Sequence, residues 1–192
     1  MNLAVIHNFF DEEDFCCLNN IITSRDFPYF RASLDYYNTN NLYLQQWQHH
    51  FKEYNKNNSP FCEEIEKIIF RGFKKNNIAF NNIDRIRLGL HNATPLNYQG
   101  GAHVDVVTPH KVCLVYLNDS DGDTIIYNEF FNPMFNLEPY EYVTKILNDK
   151  ITISSTHKPV CNKAVLFDGF QYHSSSTPKS SLNRIVININ FT

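Results

Sequence analysis

A histidine and an aspartate stand two residues apart in the stretch GGAHVDVVTPHK, residues 100–111. In a β-strand, residues i and i+2 point to the same face, so His103 and Asp105 could hold one metal ion with an imidazole and a carboxylate. A single His-x-Asp triplet has a second interpretation, in which two polar side chains lie on the solvated face of a strand. A metal site therefore requires a third ligand from elsewhere in the chain.

His173 is the best candidate for the third ligand among the eight histidines. It ends the stretch AVLFDGFQYH, an apolar strand followed by a glycine turn, which could present a side chain at the mouth of a barrel. Two histidines and one carboxylate on one face of an octahedral ion leave three positions open, which is the arrangement of non-haem Fe(II) oxygenases. The other histidines lie in a region that we predict to be helical or lack such a setting: His7, His49, His50, His91, His110 and His157.

Arg184 opens the stretch RIVININF, residues 184–191. On a strand, Arg184 shares one face with Val186, Asn188 and Asn190, and this polar face could simply lie in solvent. If the strand instead lines the interior of a barrel, the planar guanidinium could bind the far end of a dicarboxylic acid. Two parallel charge-assisted hydrogen bonds would hold that carboxylate.

The elements that must position these residues change character at Ile83. From there Ile86, Leu88 and Leu90 alternate with polar residues or glycine, as on a half-buried strand. Further short runs follow, separated by turn-forming residues: HVDVV, KVCLVYLN, DTIIYNE, KITISS, AVLFD and RIVININF. Many short strands in succession predict an antiparallel sandwich or barrel. Residues 128–150 interrupt the series, and we expect a loop and a short helix there.

Residues 1–80 are predicted to be mainly helical after one opening strand at residues 3–9. Asp11 is placed as the N-cap of a helix that runs to about residue 23, with acidic residues in its first turn where the helix dipole favours them. A helix is also one interpretation of residues 42–54.

A stronger helix is predicted from Ser59, as a cap, to about Asn76, with Pro60 at the first helical position. Apolar residues recur along it at helical spacing, and we interpret this stripe as scaffold. The sequence shows neither an internal repeat nor a linker. Residues 1–192 are therefore predicted to form one domain, with its barrel core at 83–192.

Composition excludes several classes of protein. The 192 residues carry a net charge of −3, so no global basic field favours nucleic acid. The N-terminus lacks the features of a secretory signal, and no apolar run reaches the roughly 18 residues that a membrane span requires. The five cysteines show no zinc-type pairing, which favours reduced thiols in a cytoplasmic protein. The acidic stretch 119–123 has its glycine misplaced for a calcium loop, so we interpret it as a hairpin turn.

The order His-x-Asp, a distal histidine and then arginine resembles the 2-oxoglutarate and Fe(II)-dependent oxygenases, and most closely their prolyl 4-hydroxylase-like branch. VCLVYLND resembles the strand that follows His-x-Asp in that branch, and DGDTIIYNE stands where the branch has Gly-Gly-Glu/Asp-Thr. KPVCNKAVLFDGFQYHSSSTP resembles the stretch around its distal histidine, and VIHNFFDEEDFCCL resembles its opening strand and helix. The resemblance covers residues 83–192 well and 3–22 loosely.

This resemblance implies a mainly β fold with N-terminal helices, a double-stranded β-helix or jelly roll of the cupin-like kind, with the helices packed outside on the major sheet. It implies His103, Asp105 and His173 as iron ligands and Arg184 as the partner of the 2-oxoglutarate C5 carboxylate. Tyr116 matches a tyrosine that supports this carboxylate. Asn188 shares the face of Arg184, so Tyr116 and Asn188 are both candidates for the cofactor pocket. O₂ and, as a reductant, ascorbate complete the expected set.

The expected reaction is hydroxylation of a C–H bond, and the resemblance favours a prolyl residue of a peptide or protein. A free amino acid or another small molecule is an alternative substrate. A nucleic-acid demethylase is disfavoured, because RIVININFT ends without the second arginine of that branch. A jelly-roll binding module without catalysis is the alternative from a different class. Residues 25–47 are expected to form a substrate-side lid, and residues 128–150 are expected to flank a substrate groove across the mouth of the barrel. The chain is expected to be a monomer or a homodimer.

Overall fold

The computed structural model describes residues 3–32, 46–54, 56–95 and 98–192. Within these ranges the chain forms short strands throughout, with two helices near its N-terminus and one in the second half. The strands are β1 (Ala4–Ile6), β2 (Phe30–Arg31), β3 (Gln46–Glu53), β4 (Lys56–Asn57), β5 (Ile83–Asn92), β6 (Lys111–Tyr116), β7 (Thr124–Phe130), β8 (Ile153–His157), β9 (Ala164–Asp168), β10 (Gln171–Ser175) and β11 (Asn183–Phe191). The helices are α1 (Glu12–Ile22), α2 (Cys62–Lys75) and α3 (Pro139–Lys145).

The strands form two antiparallel sheets. The large sheet has the order β1-β9-β6-β11-β5-β3-β2, with β4 paired to β3, and the small sheet has the order β10-β7-β8. Strands that are adjacent in space are mostly distant in sequence, as the crossing connections of a jelly roll require. This architecture confirms the predicted double-stranded β-helix. The inner face of the large sheet and the small sheet share one buried cluster: Val112, Leu114, Tyr116, Ile126, Val165, Phe167 and Val186.

The two N-terminal helices pack on the outer face of the large sheet. The apolar stripe predicted for α2 is buried there, because Ile65, Ile69 and Phe73 are fully enclosed together with Leu88 and Ile187 of the sheet. The helix begins at Cys62, two residues later than the sequence predicts. Ser59 still stabilises the turn before the helix, since its hydroxyl accepts a hydrogen bond from the Phe61 N–H at 3.2 Å.

Gly72 allows α2 to approach the chain that precedes α1. A Cβ atom at this position would lie 2.8 Å from the Phe9 ring and 2.9 Å from the Phe10 ring, which is closer than carbon atoms pack. The predicted cap Asp11 precedes α1, but its carboxylate makes an ion pair with Lys75 at 2.8 Å instead of capping the backbone. The two helices therefore contact each other through side chains and also cover the outer face of the large sheet.

The helix considered for residues 42–54 is wrong. Residues 46–53 form β3, which pairs with β5 along most of its length. Gln46, Gln48 and His50 occupy one face of this strand, and the other face turns towards the helices with a fully buried Phe51. Pairing with a long central strand satisfies the backbone groups of this segment, which overrides its local propensity.

Two further predictions have mixed outcomes. HVDVV is not a regular strand, since only an isolated bridge at His103 joins it to the small sheet. The short helix expected in residues 128–150 is confirmed as α3. Of the expected lid, residues 33–45 lie outside the described residues. Across the described ranges, no helix has both the length and the apolar character needed to cross a membrane.

Candidate metal centre and the pocket around it

His103 and His173 are brought together by their own backbones. Each N–H donates to the carbonyl oxygen of the other, at 2.9 and 3.0 Å, and the two ring centroids lie 4.5 Å apart. Phe167 of β9 packs on the His173 ring at 4.9 Å. Asp105 completes the group, with its Oδ2 3.6 Å from His173 Nε2. Residues that are 70 positions apart in sequence therefore meet at the rim between the two sheets.

One potential ligand atom from each of His103, Asp105 and His173 lies within 4.8 Å of the others. In the described part of the chain, no other group of three histidine, cysteine or acidic side chains meets this condition. His103 Nδ1 lies 3.0 Å from the Gly101 oxygen, and His173 Nδ1 lies 3.2 Å from the Gln171 oxygen. Because a carbonyl oxygen can only accept, each Nδ1 carries the proton, and each Nε2 keeps a lone pair for a metal ion.

The protonation states of the three side chains also suit a metal ion. Burial lowers the pKa of His103, and it lowers that of His173 to about 4, so both imidazoles are neutral at neutral pH. Burial by itself would raise the pKa of Asp105, but the charges of Arg85 and Arg87 outweigh it and hold that pKa well below its usual range. Two neutral imidazoles and one carboxylate fit a divalent ion of the non-haem iron type.

The carboxylate of Asp105 is held by four side chains from β5 and β11. Its Oδ2 accepts hydrogen bonds from the Asn188 and Asn190 amides at 2.9 and 3.1 Å. Its Oδ1 accepts one from Arg85 Nη1 at 3.2 Å and lies 3.9 Å from Arg87 Nη2. Such contacts fix the direction of a ligating carboxylate. Asn188, predicted for the cofactor pocket, thus binds the candidate metal ligand, and its contact with a cofactor stays a prediction.

Arg184 lies deep between the sheets, with 2% of its surface exposed. Its Nη2 donates to Thr124 Oγ1 at 2.7 Å, and the Tyr116 hydroxyl donates to the same oxygen at 2.8 Å. The guanidinium carbon also lies 5.7 Å from the centre of the Tyr116 ring. Burial raises the pKa of Tyr116, so its hydroxyl stays protonated and can donate. The fixed cation and the hydroxyl that the sequence predicted are therefore neighbours, and Thr124 of the small sheet joins them.

The register of β11 relates Arg184 to the metal centre. Arg184 and Asn188 share the inner face of β11 and are four residues apart, which is about 13 Å along a strand. His91 lies opposite Arg184 on β5 and is buried. Burial and the charges of Arg184 and Arg87 lower the pKa of His91 to about 3, so this imidazole is neutral. The buried cation therefore lies on the same inner face of the sheet as Asn188, which binds the candidate ligand Asp105.

Sequence reasoning missed four residues that shape this site: Arg85, Arg87, Thr124 and Asn190. The arginines alternate with Ile86 and Leu88, so the pattern placed them on one face of a strand without saying that the face was internal. Asn190 carried the same signal, since it has the parity of Arg184 on its strand. For Thr124, the only signal in the sequence was the resemblance of DGDTIIYNE to a family motif.

Comparison with solved structures shows the same fold in several proteins. An oxidoreductase of the 2OG-Fe(II) oxygenase family from Burkholderia pseudomallei matches with a TM-score of 0.66 at 10% identity, over 99% of this chain and 85% of that one. A prolyl hydroxylase from Trichoplax adhaerens was solved in complex with a peptide fragment of the hypoxia-inducible factor oxygen degradation domain. It matches with a TM-score of 0.60 at 12% identity, over 98% of this chain and 82% of that one.

The epimerase SnoN, in complex with Fe3+, alpha ketoglutarate and nogalamycin RO, matches with a TM-score of 0.62 at 10% identity, over 99% of this chain and 78% of that one. At these identities the likeness establishes a shared jelly-roll fold. No protein-family model matches the sequence, and no curated protein matches it.

Proposed function

We propose that this protein is an Fe(II)- and 2-oxoglutarate-dependent oxygenase. The observation that carries the proposal is the group His103, Asp105 and His173, which offers two imidazole nitrogens and a charged carboxylate with ligand atoms within 4.8 Å of one another. The buried Arg184 on the inner face of the same barrel gives independent support, because a dicarboxylate co-substrate needs a fixed cation at its far end. The shared fold with proteins of that oxygenase family is the third support.

In this proposal His103, Asp105 and His173 hold the iron and leave three of its positions for other ligands. When bound, iron together with 2-oxoglutarate and O₂ supplies an oxidant strong enough to attack an unactivated C–H bond. The amides of Asn188 and Asn190 keep the Asp105 carboxylate in place during this chemistry. The protein contributes positioned ligands and the side chains that hold them in place.

Arg184 would bind the C5 carboxylate of 2-oxoglutarate. Thr124 orients the guanidinium from the small sheet, and the Tyr116 hydroxyl is close enough to support the same carboxylate. His91, which faces Arg184 across the strand pair, stays neutral and adds no charge to the dicarboxylate's surroundings. Val186 and Leu114 belong to the same buried apolar cluster as Tyr116, so apolar side chains adjoin this polar group.

For the substrate we propose a prolyl residue of a peptide or protein. The support is the fold shared with the Trichoplax adhaerens prolyl hydroxylase, a protein solved with a peptide fragment bound. A small-molecule substrate is the second candidate, and the fold shared with SnoN, which was solved with nogalamycin RO, supports it.

Succinate release tests the proposal. Purified protein with Fe(II), 2-oxoglutarate, O₂ and ascorbate should release succinate, and release should accelerate with proline-containing peptides. His173→Ala should abolish release, whereas His7→Ala, a change at an exposed histidine, should leave it intact. Absence of both iron binding and 2-oxoglutarate binding would overturn the reaction class. Acceleration by free amino acids or methylated oligonucleotides alone would overturn the peptide substrate.

A further inference from the structure

Asn190 connects Arg85 to the candidate metal ligand Asp105. The register of β5 and β11 sets Arg85 directly opposite Asn190, and it sets Arg87 opposite Asn188. Arg85 Nη1 lies 3.2 Å from Asp105 Oδ1 and 3.2 Å from Asn190 Oδ1, and it donates to both. The Asn190 amide nitrogen donates to Asp105 Oδ2 at 3.1 Å and to Asn188 Oδ1 at 3.3 Å. Two neighbouring strands thus supply one hydrogen-bond network that ends on the carboxylate.

The directions of these hydrogen bonds follow from Arg85. A guanidinium can only donate, so Asn190 turns its side-chain oxygen towards Arg85 and its NH₂ group towards Asp105. The same NH₂ group meets the oxygen of Asn188, so the Asn188 NH₂ group also faces the carboxylate, to which it donates at 2.9 Å. Reversing either amide would set donor against donor and acceptor against acceptor. Asp105 Oδ2 therefore accepts two amide hydrogen bonds of fixed direction.

The network is shielded from solvent. Asn190 has no exposed surface, Asn188 has 6% exposed, and the side chain of Asp105 has 2% exposed. Charges and hydrogen bonds act strongly in such surroundings because little water screens them. Asp105 Oδ2 also lies 3.6 Å from His173 Nε2, so the two amides donate to the oxygen that lies beside a second candidate ligand.

From this arrangement we infer that Asn190 and Arg85 stabilise the Fe(II) state of the bound metal by drawing negative charge away from the Asp105 carboxylate. The inference rests on the proposed function and adds control of the oxidation state at the same site. Loss of one electron converts Fe(II) to Fe(III) and adds one positive charge close to the Arg85 guanidinium. A carboxylate that accepts several hydrogen bonds gives less electron density to a metal, so it stabilises Fe(III) less. The network acts through Asp105, which makes Asn190 and Arg85 positioning residues.

The reduction potential of the iron-loaded protein tests this inference. Asn190→Leu removes the amide and nearly keeps the shape of the side chain. Wild type and variant are loaded with Fe(II) and equilibrated with redox mediators, which take up the electron that leaves the iron, and electron paramagnetic resonance measures the high-spin Fe(III) formed. At a given potential the ratio of Fe(III) to Fe(II) should be about tenfold higher in the variant, the lower end of the effect of outer-shell partners on metal affinity. This ratio corresponds to a reduction potential about 59 mV lower for a one-electron couple.

Three further variants separate the network from a general effect on the fold. Arg85→Met should lower the potential in the same direction, and Arg85→Lys should recover most of the loss because it keeps the positive charge. Asn20→Leu, the same change as in the test variant but at an exposed position of α1, should leave the potential unchanged. Thermal melts of all variants show which of them are folded. If Asn190→Leu does not fold, Asn188→Leu replaces it, because it removes the other amide hydrogen bond to Asp105 Oδ2.

A folded, iron-loaded Asn190→Leu or Asn188→Leu variant with an unchanged or higher potential would overturn the inference. Equal potentials in Arg85→Lys and Arg85→Met would remove the charge of Arg85 from the explanation. Failure of the proposed function would appear earlier, as an absence of iron binding by the wild-type protein, and it would overturn the inference as well. Iron binding with an unchanged potential in the variants would reject the inference alone.

Discussion

Replacing Thr124 with valine should both destabilise the fold and weaken the binding of 2-oxoglutarate. Thr124 Oγ1 is the shared acceptor for Arg184 Nη2 at 2.7 Å and for the Tyr116 hydroxyl at 2.8 Å, and all three side chains are buried. Valine keeps the shape but removes the acceptor. The loss combines one charged hydrogen bond, worth about 1.5–3 kcal/mol, with one neutral bond worth about 1 kcal/mol. The free energy of unfolding should therefore fall by roughly 2–4 kcal/mol.

Urea denaturation of the metal-free protein measures this loss, and succinate release measures the KM for 2-oxoglutarate. The KM should rise because Thr124 orients the Arg184 guanidinium, whereas Fe(II) affinity should stay close to that of the wild type. Thr124→Ser keeps the hydroxyl and is the matched control for both measurements. In a double-mutant cycle, Thr124→Val combined with Tyr116→Phe should cost less than the sum of the single changes, because both remove the same hydrogen bond.

A Thr124→Val variant whose free energy of unfolding and KM both match those of the wild type would refute this role of Thr124. A fall in stability with an unchanged KM would retain the hydrogen bond but remove its role in binding 2-oxoglutarate. An additive double-mutant cycle would show that Thr124 and Tyr116 act independently.

Three further predictions follow from the site and the loop beside it. Alanine at any one of the three candidate ligands should sharply lower Fe(II) affinity in calorimetry, and unchanged affinity in all three variants would reject the triad: His103, Asp105 and His173. Arg184→Ala should raise the KM for 2-oxoglutarate or abolish turnover while metal binding persists, and equal 2-oxoglutarate affinity in the two proteins would contradict its role. Asp121→Ala should lower stability by roughly 1–2 kcal/mol, since its partly exposed carboxylate accepts backbone N–H bonds from residues 179–181. Those bonds lower the folded-state pKa of Asp121. Its contribution to stability is therefore complete above the unfolded pKa of about 3.9 and is lost as the pH falls below that value. A stability difference between wild type and Asp121→Ala that grew on acidification would contradict this prediction.

The sequence by itself determined which residue types could form the metal centre and in what order they occur. His-x-Asp, a distal histidine and a following arginine are local features, and a resemblance in their order implied a shared site. The strand alternation from Ile83 onwards and the apolar stripe of α2 could also be predicted from the sequence, because both depend on residue spacing within one segment.

The tertiary structure decided which face of each strand became the interior. Alternation divides Arg85 and Arg87 from Ile86 and Leu88 but does not say which face lines a barrel, because that depends on the partner strand and the opposite sheet. It also decided that residues 46–53 form a strand, since the pairing partner is β5, tens of residues away in sequence. The hydrogen-bonded group of Tyr116, Thr124 and Arg184 also depends on the tertiary structure. Its three members come from β6, β7 and β11 and meet only when the two sheets pack on each other.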